Sequence, residues 1–236
     1  MIISLIQTKG GTGKTTVAQC LAYCNTFKKA FDSICLFELD PQGTLNSWHQ
    51  ERQSSGIQDK GVNFVSLPNA DQKTLEDKLF QLAEENDVII FDVPGESVGR
   101  FPTKLAAALS TISLIPMRSS TNDEQSFTDN IYPIISSFIE NDPEKKNVFY
   151  ILPTFVHPQT KITTVKEYFK EIMPANVGCL DYFLPTRSVY ENFSREGLTL
   201  QEHAKMIKNN SRQYGQAKKA MSDIESIAKI VLKLNR

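Results

Sequence analysis

The residues Lys9-Gly10-Gly11-Thr12-Gly13-Lys14-Thr15-Thr16 carry the chemistry that this sequence declares most openly. Gly10, Gly11 and Gly13 let backbone N–H groups turn toward one anion without side-chain interference. A short apolar run precedes the segment and a helical pattern follows it, so the positive end of a helix faces the same anion. Lys14 is placed to reach the β- and γ-phosphates of a nucleotide as a point charge. The Thr15 hydroxyl is placed to ligate Mg²⁺, and Thr16 to bond the α-phosphate. Thr12 belongs to the same phosphate-binding stretch. The general phosphate-loop pattern, G-x-x-x-x-G-K-[ST], asks for glycine where this chain has Thr8, and Lys9 follows. The loop is therefore a variant with an added lysine near its start. A glycine-rich turn that binds nothing is the plain alternative; the flanking strand and helix and the Gly13-Lys14-Thr15 ending argue against it.

Two carboxylates complete such a site. Asp92 ends the apolar run Val88-Ile89-Ile90-Phe91-Asp92. A strand of that kind delivers Asp92 to its carboxyl edge, beside the loop after the first strand, where ligands bind in open α/β sheets. There it can hold Mg²⁺ directly or through water. Asp40 lies in Phe37-Glu38-Leu39-Asp40-Pro41-Gln42-Gly43. An Asp-Pro pair alone is also a common strand-ending turn.

Lys9 to Thr16 resembles the deviant Walker A motif of the ParA/MinD ATPases, a family that also includes the nitrogenase iron protein. In that family the early lysine, here Lys9, crosses a dimer interface to the phosphates held by the other subunit. Since Lys14 already neutralises the phosphates in cis, a trans role suits a second lysine, as a counterpart of the arginine finger. Asp40 falls on the aspartate of the family's switch I segment, D-x-D-P-Q, which positions the attacking water or a magnesium-bound water. Glu38 stands where the family has an earlier acidic residue. The resemblance thus implies catalytic roles for Lys9, Lys14 and Asp40, and a metal site built from Thr15, Asp40 and Asp92. Gly95 matches the switch II glycine, whose N–H meets the γ-phosphate. Ile115 to Asp123 resembles a segment that carries an aspartate near the dimer interface; Asp123 reads equally as a helix N-cap. Leu152-Pro153-Thr154 and Leu184-Pro185-Thr186 resemble segments that contact adenine, which makes Pro185 a candidate. Arg187 to Glu191 and Glu196 to Leu200 also follow the family pattern, so the resemblance covers most of the chain.

What the resemblance implies is an ATPase using ATP and Mg²⁺. It would form a homodimer around its nucleotides, bind DNA non-specifically in that state and drive plasmid or chromosome segregation. A small centromere-binding or adaptor protein would stimulate it. Trp48, after Leu45-Asn46-Ser47, is similar to the small plasmid partition ATPases. The iron protein's role is set aside, because only Cys179 follows Asp92 and cluster ligation needs more thiolates. After Gly197 the chain carries Lys205, Lys208, Arg212, Lys218, Lys219, Lys229, Lys233 and Arg236 against few acids. That run reads as a DNA-contacting face or as a solvated helical face. Ile224, Ile227, Ala228, Val231 and Leu234 form a stripe that suits a core-facing last helix. It is narrow and lacks aromatic anchors, which argues against a membrane helix. The alternatives are an accessory ATPase for conjugative DNA transfer and a MinD-like ATPase that positions protein cargo or associates with membrane.

These residues need a scaffold, and the apolar patterning supplies one. Of 236 residues, 40% are hydrophobic and 22% charged, the balance of an ordinary globular domain. A formal net charge of −1 excludes a globally basic protein and leaves room for a local patch. Strand and helix patterns alternate, which predicts an α/β fold with a mainly parallel, twisted sheet of about seven or eight strands. Strands are expected at Met1–Gln7, Ser33–Leu39, Val62–Leu67, Asp87–Phe91, Thr111–Ile115, Asn147–Leu152 and Leu180–Leu184. Helices are expected at Gly13–Ala30, Gln72–Glu85, Asp123–Glu140 and Gln213–Leu234, and Gln50 to Gly61 reads as a polar surface excursion. One domain spanning residues 1–236 is expected, with no further DNA-binding module before the phosphate loop. Cys20, Cys24, Cys35 and Cys179 show no metal or redox spacing and read as apolar thiols in a reducing compartment. No signal-peptide pattern or membrane-length run is present, so a cytoplasmic protein is expected; if the partition role that the resemblance implies holds, its ATP form would associate with the nucleoid.

Overall fold

Apolar runs flanked by turn residues form a parallel sheet only if helices cover both faces. The computed structural model satisfies this requirement; it describes residues 1–95, 100–141 and 149–235, and of Arg100 the backbone alone. The strands are β1 (Ile2–Leu5), β2 (Ile34–Glu38), β3 (Val62–Ser66), β4 (Val88–Asp92), β5 (Ile112–Met117), β6 (Phe149–Val156), β7 (Gly178–Cys179) and β8 (Leu184–Pro185). Their order is β3-β2-β4-β1-β5-β6-β7, with β8 beside β6. Every pairing is parallel. The register sets Leu5 and Glu38 on either side of Asp92. The carboxyl ends of β1, β2 and β4 are therefore level, and the segments that follow them meet at one edge.

The helices are α1 (Lys14–Tyr23), α2 (Asn25–Ala30), α3 (Thr44–Ser54), α4 (Gln72–Glu85), α5 (Arg100–Leu109), α6 (Thr121–Ser126), α7 (Tyr132–Asn141), α8 (Ile162–Ile172), α9 (Leu200–Met206) and α10 (Ser211–Leu234). Val88 and Ile90 of β4 point into one core with Val17, Leu21 and Ile227. Ile89 and Phe91 point into the other with Leu79 and Phe169. The stripe Ile224, Ile227, Ala228, Val231 on α10 is buried in the first core. It is spent on packing and offers no apolar face to a membrane. Among the described residues no helix is long and apolar enough to cross one.

Four expectations change. The helix expected over Gly13–Ala30 breaks at Cys24, whose extended backbone ends α1 and caps α2. The cause is tertiary: Glu225 of α10 accepts the N–H groups of Asn25 and Thr26, each at 2.8 Å. Of the strand expected at Leu180–Leu184 only Leu184 is in a strand, β8; β7 lies before the expected range, and in the segment between them Tyr182 bonds Asp223 of α10 at 3.0 Å. Of the strand expected over Asn147–Leu152, Asn147 and Val148 lie outside the described residues, as does Arg236, and the described strand, Phe149–Val156, runs on past Leu152. The excursion read at Gln50–Gly61 is half helix, since α3 extends to Ser54 and buries Arg52 to 1% exposure. Burial pushes the Cys24 and Cys35 thiols up to about 12, so both stay protonated and inert.

Arg52 locks α3 to the chain before α9. Its guanidinium donates to Asp59, to Glu202 at 2.6 Å and to the Gly197 carbonyl at 2.7 Å. Trp48 Nε1 donates to the Leu198 carbonyl at 3.0 Å, and Glu51 accepts the Gly197 N–H at 3.2 Å. Gly197 has φ +71°, and a Cβ there would stand 2.3 Å from the Arg52 nitrogen. Both the conformation and the space demand glycine. Gly197→Ala is expected to destabilise the fold by roughly 2–4 kcal/mol. Urea unfolding measures this; an unchanged midpoint would show that the turn is not held against α3.

Candidate functional site

β1 delivers the chain to a loop that wraps one point in space. Gly11 and Gly13 adopt φ +67° and +100°, left-handed values that glycine tolerates. Gly13 precedes α1 and no side chain caps that helix, so its first N–H groups remain available to an external acceptor. Residues 10–16 line one side of a cleft of about 1170 Å³, with Asp40, Gln42 and Gly95 among those facing them. The loop, the segment after β2 and the segment after β4 thus converge as their level strand ends require.

Lys14 folds back over the loop, and its Nζ donates to the Lys9 carbonyl at 3.3 Å. Burial lowers its pKa, opposed by the charges of Asp92 and Asp40. A Cβ on Gly95 would lie 3.0 Å from that Nζ and 3.5 Å from Gly10 Cα, so any side chain there would crowd the ammonium. Asp92 is fully buried; its Oδ2 accepts from Thr15 Oγ1 at 2.7 Å, while Oδ1 has no partner among the described residues. Burial raises its pKa to about 7, opposed by the Thr15 bond and Lys14. A buried hydroxyl–carboxylate pair with one orphaned oxygen fits a divalent cation. Among the described residues no group of three His, Cys, Asp or Glu side chains could hold a metal. Phosphate oxygens would have to complete the shell, the usual arrangement for Mg²⁺.

Asp40 is half-buried at the cleft wall and accepts the Gln42 N–H at 3.0 Å. Glu38 plays a different part: buried, it accepts the N–H groups of Leu45 at 2.8 Å and Asn46 at 3.1 Å and the Ser66 hydroxyl at 2.9 Å. It anchors the start of α3 and faces away from the cleft chemistry.

Lys9 stands apart from this cluster. Its Nζ pairs with Asp123, and its side chain keeps 35% exposure. Asp123 is buried and also accepts the Arg118 N–H at 2.9 Å and the Ser120 hydroxyl at 3.1 Å. The N-cap of α6 is Ser120, so the N-cap reading of Asp123 falls. Thr12 is buried within the loop, and Thr16 lines the cleft. Pro185 is buried in β8 and does not line the cleft, although its neighbour Leu184 backs Gly13 together with Thr154 and Phe155. Sequence reasoning missed Arg118 and Phe155. Arg118 Nη2 donates to the Gly11 carbonyl, and its guanidinium lies 3.9 Å from the Phe155 ring centre. No spacing rule links residues so distant in sequence.

The Asp92 shift has a measurable sign. Its carboxyl titrates near 7 in the fold and near its ordinary value of 3.8 when unfolded, so between these values the folded state holds the extra proton. Its contribution to stability falls as pH rises through that window, and the penalty is complete above it. In the nucleotide- and magnesium-free protein, Asp92→Asn is expected to remove this slope and raise the urea midpoint at pH 8. Equal slopes in parent and variant would contradict the assignment.

A family model described as the CobQ/CobB/MinD/ParA nucleotide binding domain matches residues 3–200. No curated protein matches the chain. Among solved structures, a plasmid partition protein from Borrelia burgdorferi superposes with TM-score 0.60 at 18% identity, over 98% of this chain and 97% of that one. An McdA variant from Cyanothece in complex with ATP gives 0.63 at 16%, over 94% and 95%. Cobyrinic acid a,c-diamide synthase from Mycobacterium smegmatis with bound ADP and magnesium gives 0.56 at 19%, over 89% and 96%. At these identities the likeness speaks for the fold alone. The family match is broader evidence, for it spans most of the chain and takes in the phosphate loop, Asp40 and Asp92. The chain belongs to the CobQ/CobB/MinD/ParA nucleotide-binding domain family.

Proposed function

We propose that this protein is a Mg-ATP-dependent ATPase that dimerises around its nucleotides, binds DNA non-specifically as that dimer and drives DNA segregation. In this reading a small centromere-binding or adaptor protein stimulates turnover. The observation that carries it is the convergence of Lys14, Asp40 and the Thr15–Asp92 pair on one cleft, with Lys9 left outside it. Bound ATP supplies the reactive phosphate, and Mg²⁺ neutralises its oxygens. The residues of the chain do the rest. The loop N–H groups and Lys14 hold the phosphates, Thr15 and Asp92 hold the ion, and the Gly95 N–H meets the terminal phosphate. Asp40 orients the attacking water, and Pro185 borders the adenine. Lys9 leaves Asp123 and reaches the phosphates of a second copy. Basal turnover is slow until that clamp closes.

The DNA reading rests on a second cleft, of about 1230 Å³, bordered by Arg187, Arg195, His203, Arg212 and Lys219. Among the described residues no carboxylate lines it, although Asp223 accepts from Arg187 behind it. In a chain of net charge −1 this is a local excess of cations. It suits a phosphodiester backbone, and dimerisation doubles it.

Lys14→Ala is expected to abolish ATP and ADP binding. Lys9→Ala is expected to keep ADP affinity within about twofold, and to lose ATP-dependent dimers in sedimentation together with phosphate release. Dimers and turnover at the parent level in Lys9→Ala would refute the trans role. DNA binding is expected to need ATP and to weaken steeply with salt. Replacing Arg195 and Lys219 by Gln should flatten the log–log salt slope by about one per lost phosphate contact. Equal DNA binding without nucleotide would rule out a nucleotide-gated DNA switch.

A further inference from the structure

Phe155 is an outlier on two counts. Thr154 pairs with Leu184 and Val156 with Pro185, so Phe155 is the extra residue of a β-bulge between β6 and β8. Its φ is +56°, a left-handed value that is costly for an aromatic residue. Yet its ring is 44% exposed, so it is not driven there by core packing. The bulge instead turns the ring toward the phosphate loop, where it comes within van der Waals reach of the Gly13 position.

The guanidinium carbon of Arg118 lies 3.9 Å from the centre of this ring. From there Nη2 donates to the Gly11 carbonyl. The root of Arg118 is fixed as well, because its backbone N–H is bound by Asp123 at 2.9 Å. Within a planar trans peptide, the C=O of one residue and the N–H of the next point in opposite directions. Holding the Gly11 carbonyl outward therefore aims the Thr12 N–H inward, at the anion site. The peptide needs such a hold, since a glycine at φ +67° has no side chain to resist flipping.

We propose that Arg118 is a positioning residue for phosphate binding: seated on Phe155, it locks the Gly11–Thr12 peptide with its N–H turned into the loop. The lock pre-organises the loop, so less ordering is needed when phosphate arrives. A guanidinium can stack and donate at once, whereas an ammonium can donate but does not stack as a plane. The inference rests on the reading of the loop as the nucleotide site.

The test compares ADP and adenosine binding to the full chain and to Arg118→Ala, Arg118→Lys, Phe155→Leu and the Arg118→Ala/Phe155→Leu pair, with melting points taken without nucleotide. Arg118→Ala is expected to raise the ADP Kd about tenfold, leave adenosine binding within twofold and leave the nucleotide-free melting point unchanged. Arg118→Lys should recover part of the loss. Phe155→Leu should weaken ADP binding in the same direction, and the double variant should be no worse than Arg118→Ala, because both act through one hold. ADP affinity within twofold of the parent in Arg118→Ala, or fully additive losses in the double variant, would overturn the proposal. If Arg118→Ala does not fold, parent-like ADP affinity in both Arg118→Lys and Phe155→Leu overturns it equally. If the parent binds no ADP, the nucleotide reading itself fails, a result distinct from any of these.

Discussion

A carboxylate held dry at the end of β4 is the constraint on which this structure turns. Asp92 has no solvent to stabilise its charge, one hydroxyl donor in Thr15 and, among the described residues, one oxygen without a partner. Burial of that kind is unfavourable in the free protein, and its pKa of about 7 is the signature. A cation beside the orphaned oxygen would reverse the balance. The parallel register makes the placement unavoidable: with Leu5 and Glu38 level with Asp92, the loop after β1 and the turn after β2 must both open over the same point.

Much of the site was legible because its logic is local. Glycines that turn a loop, a lysine and threonine at the start of a helix, and an aspartate ending an apolar strand are patterns of adjacent residues. The alternating apolar runs likewise predicted a parallel sheet covered on both faces, and α4 appears at Gln72–Glu85 as expected. What the sequence concealed depends on partners far along the chain. Cys24 breaks a helix because Glu225 reaches it from α10, and Arg52 is buried because Asp59 and Glu202 surround it. Polarity alone placed Arg52 on a surface loop. Arg118 and Phe155 are separated by a whole helical layer of sequence, and neither belongs to a spaced motif.

Glu38 and Lys9 each turn away from the cleft that their sequence neighbours line. Glu38 lies two residues before Asp40, yet it turns its oxygens to N–H groups in the first turn of α3. It fixes the ground on which Asp40 stands. Lys9 belongs to the loop by sequence, yet its charge is directed sideways to Asp123. The β5–α6 corner therefore grips the loop from outside at two places, through Asp123 and through Arg118.

The union of α3 with the turn at Gly197 has a mechanical meaning. Asp40 leads through Gly43 directly into α3, and α3 is fastened to Gly197 and Leu198 by Arg52, Glu51 and Trp48. Arg195, two residues before Gly197, forms part of the rim of the cationic cleft. The wall of one cleft and the rim of the other are thus joined through α3. Loss of the Arg52 contacts would therefore release the turn that carries Arg195 from α3.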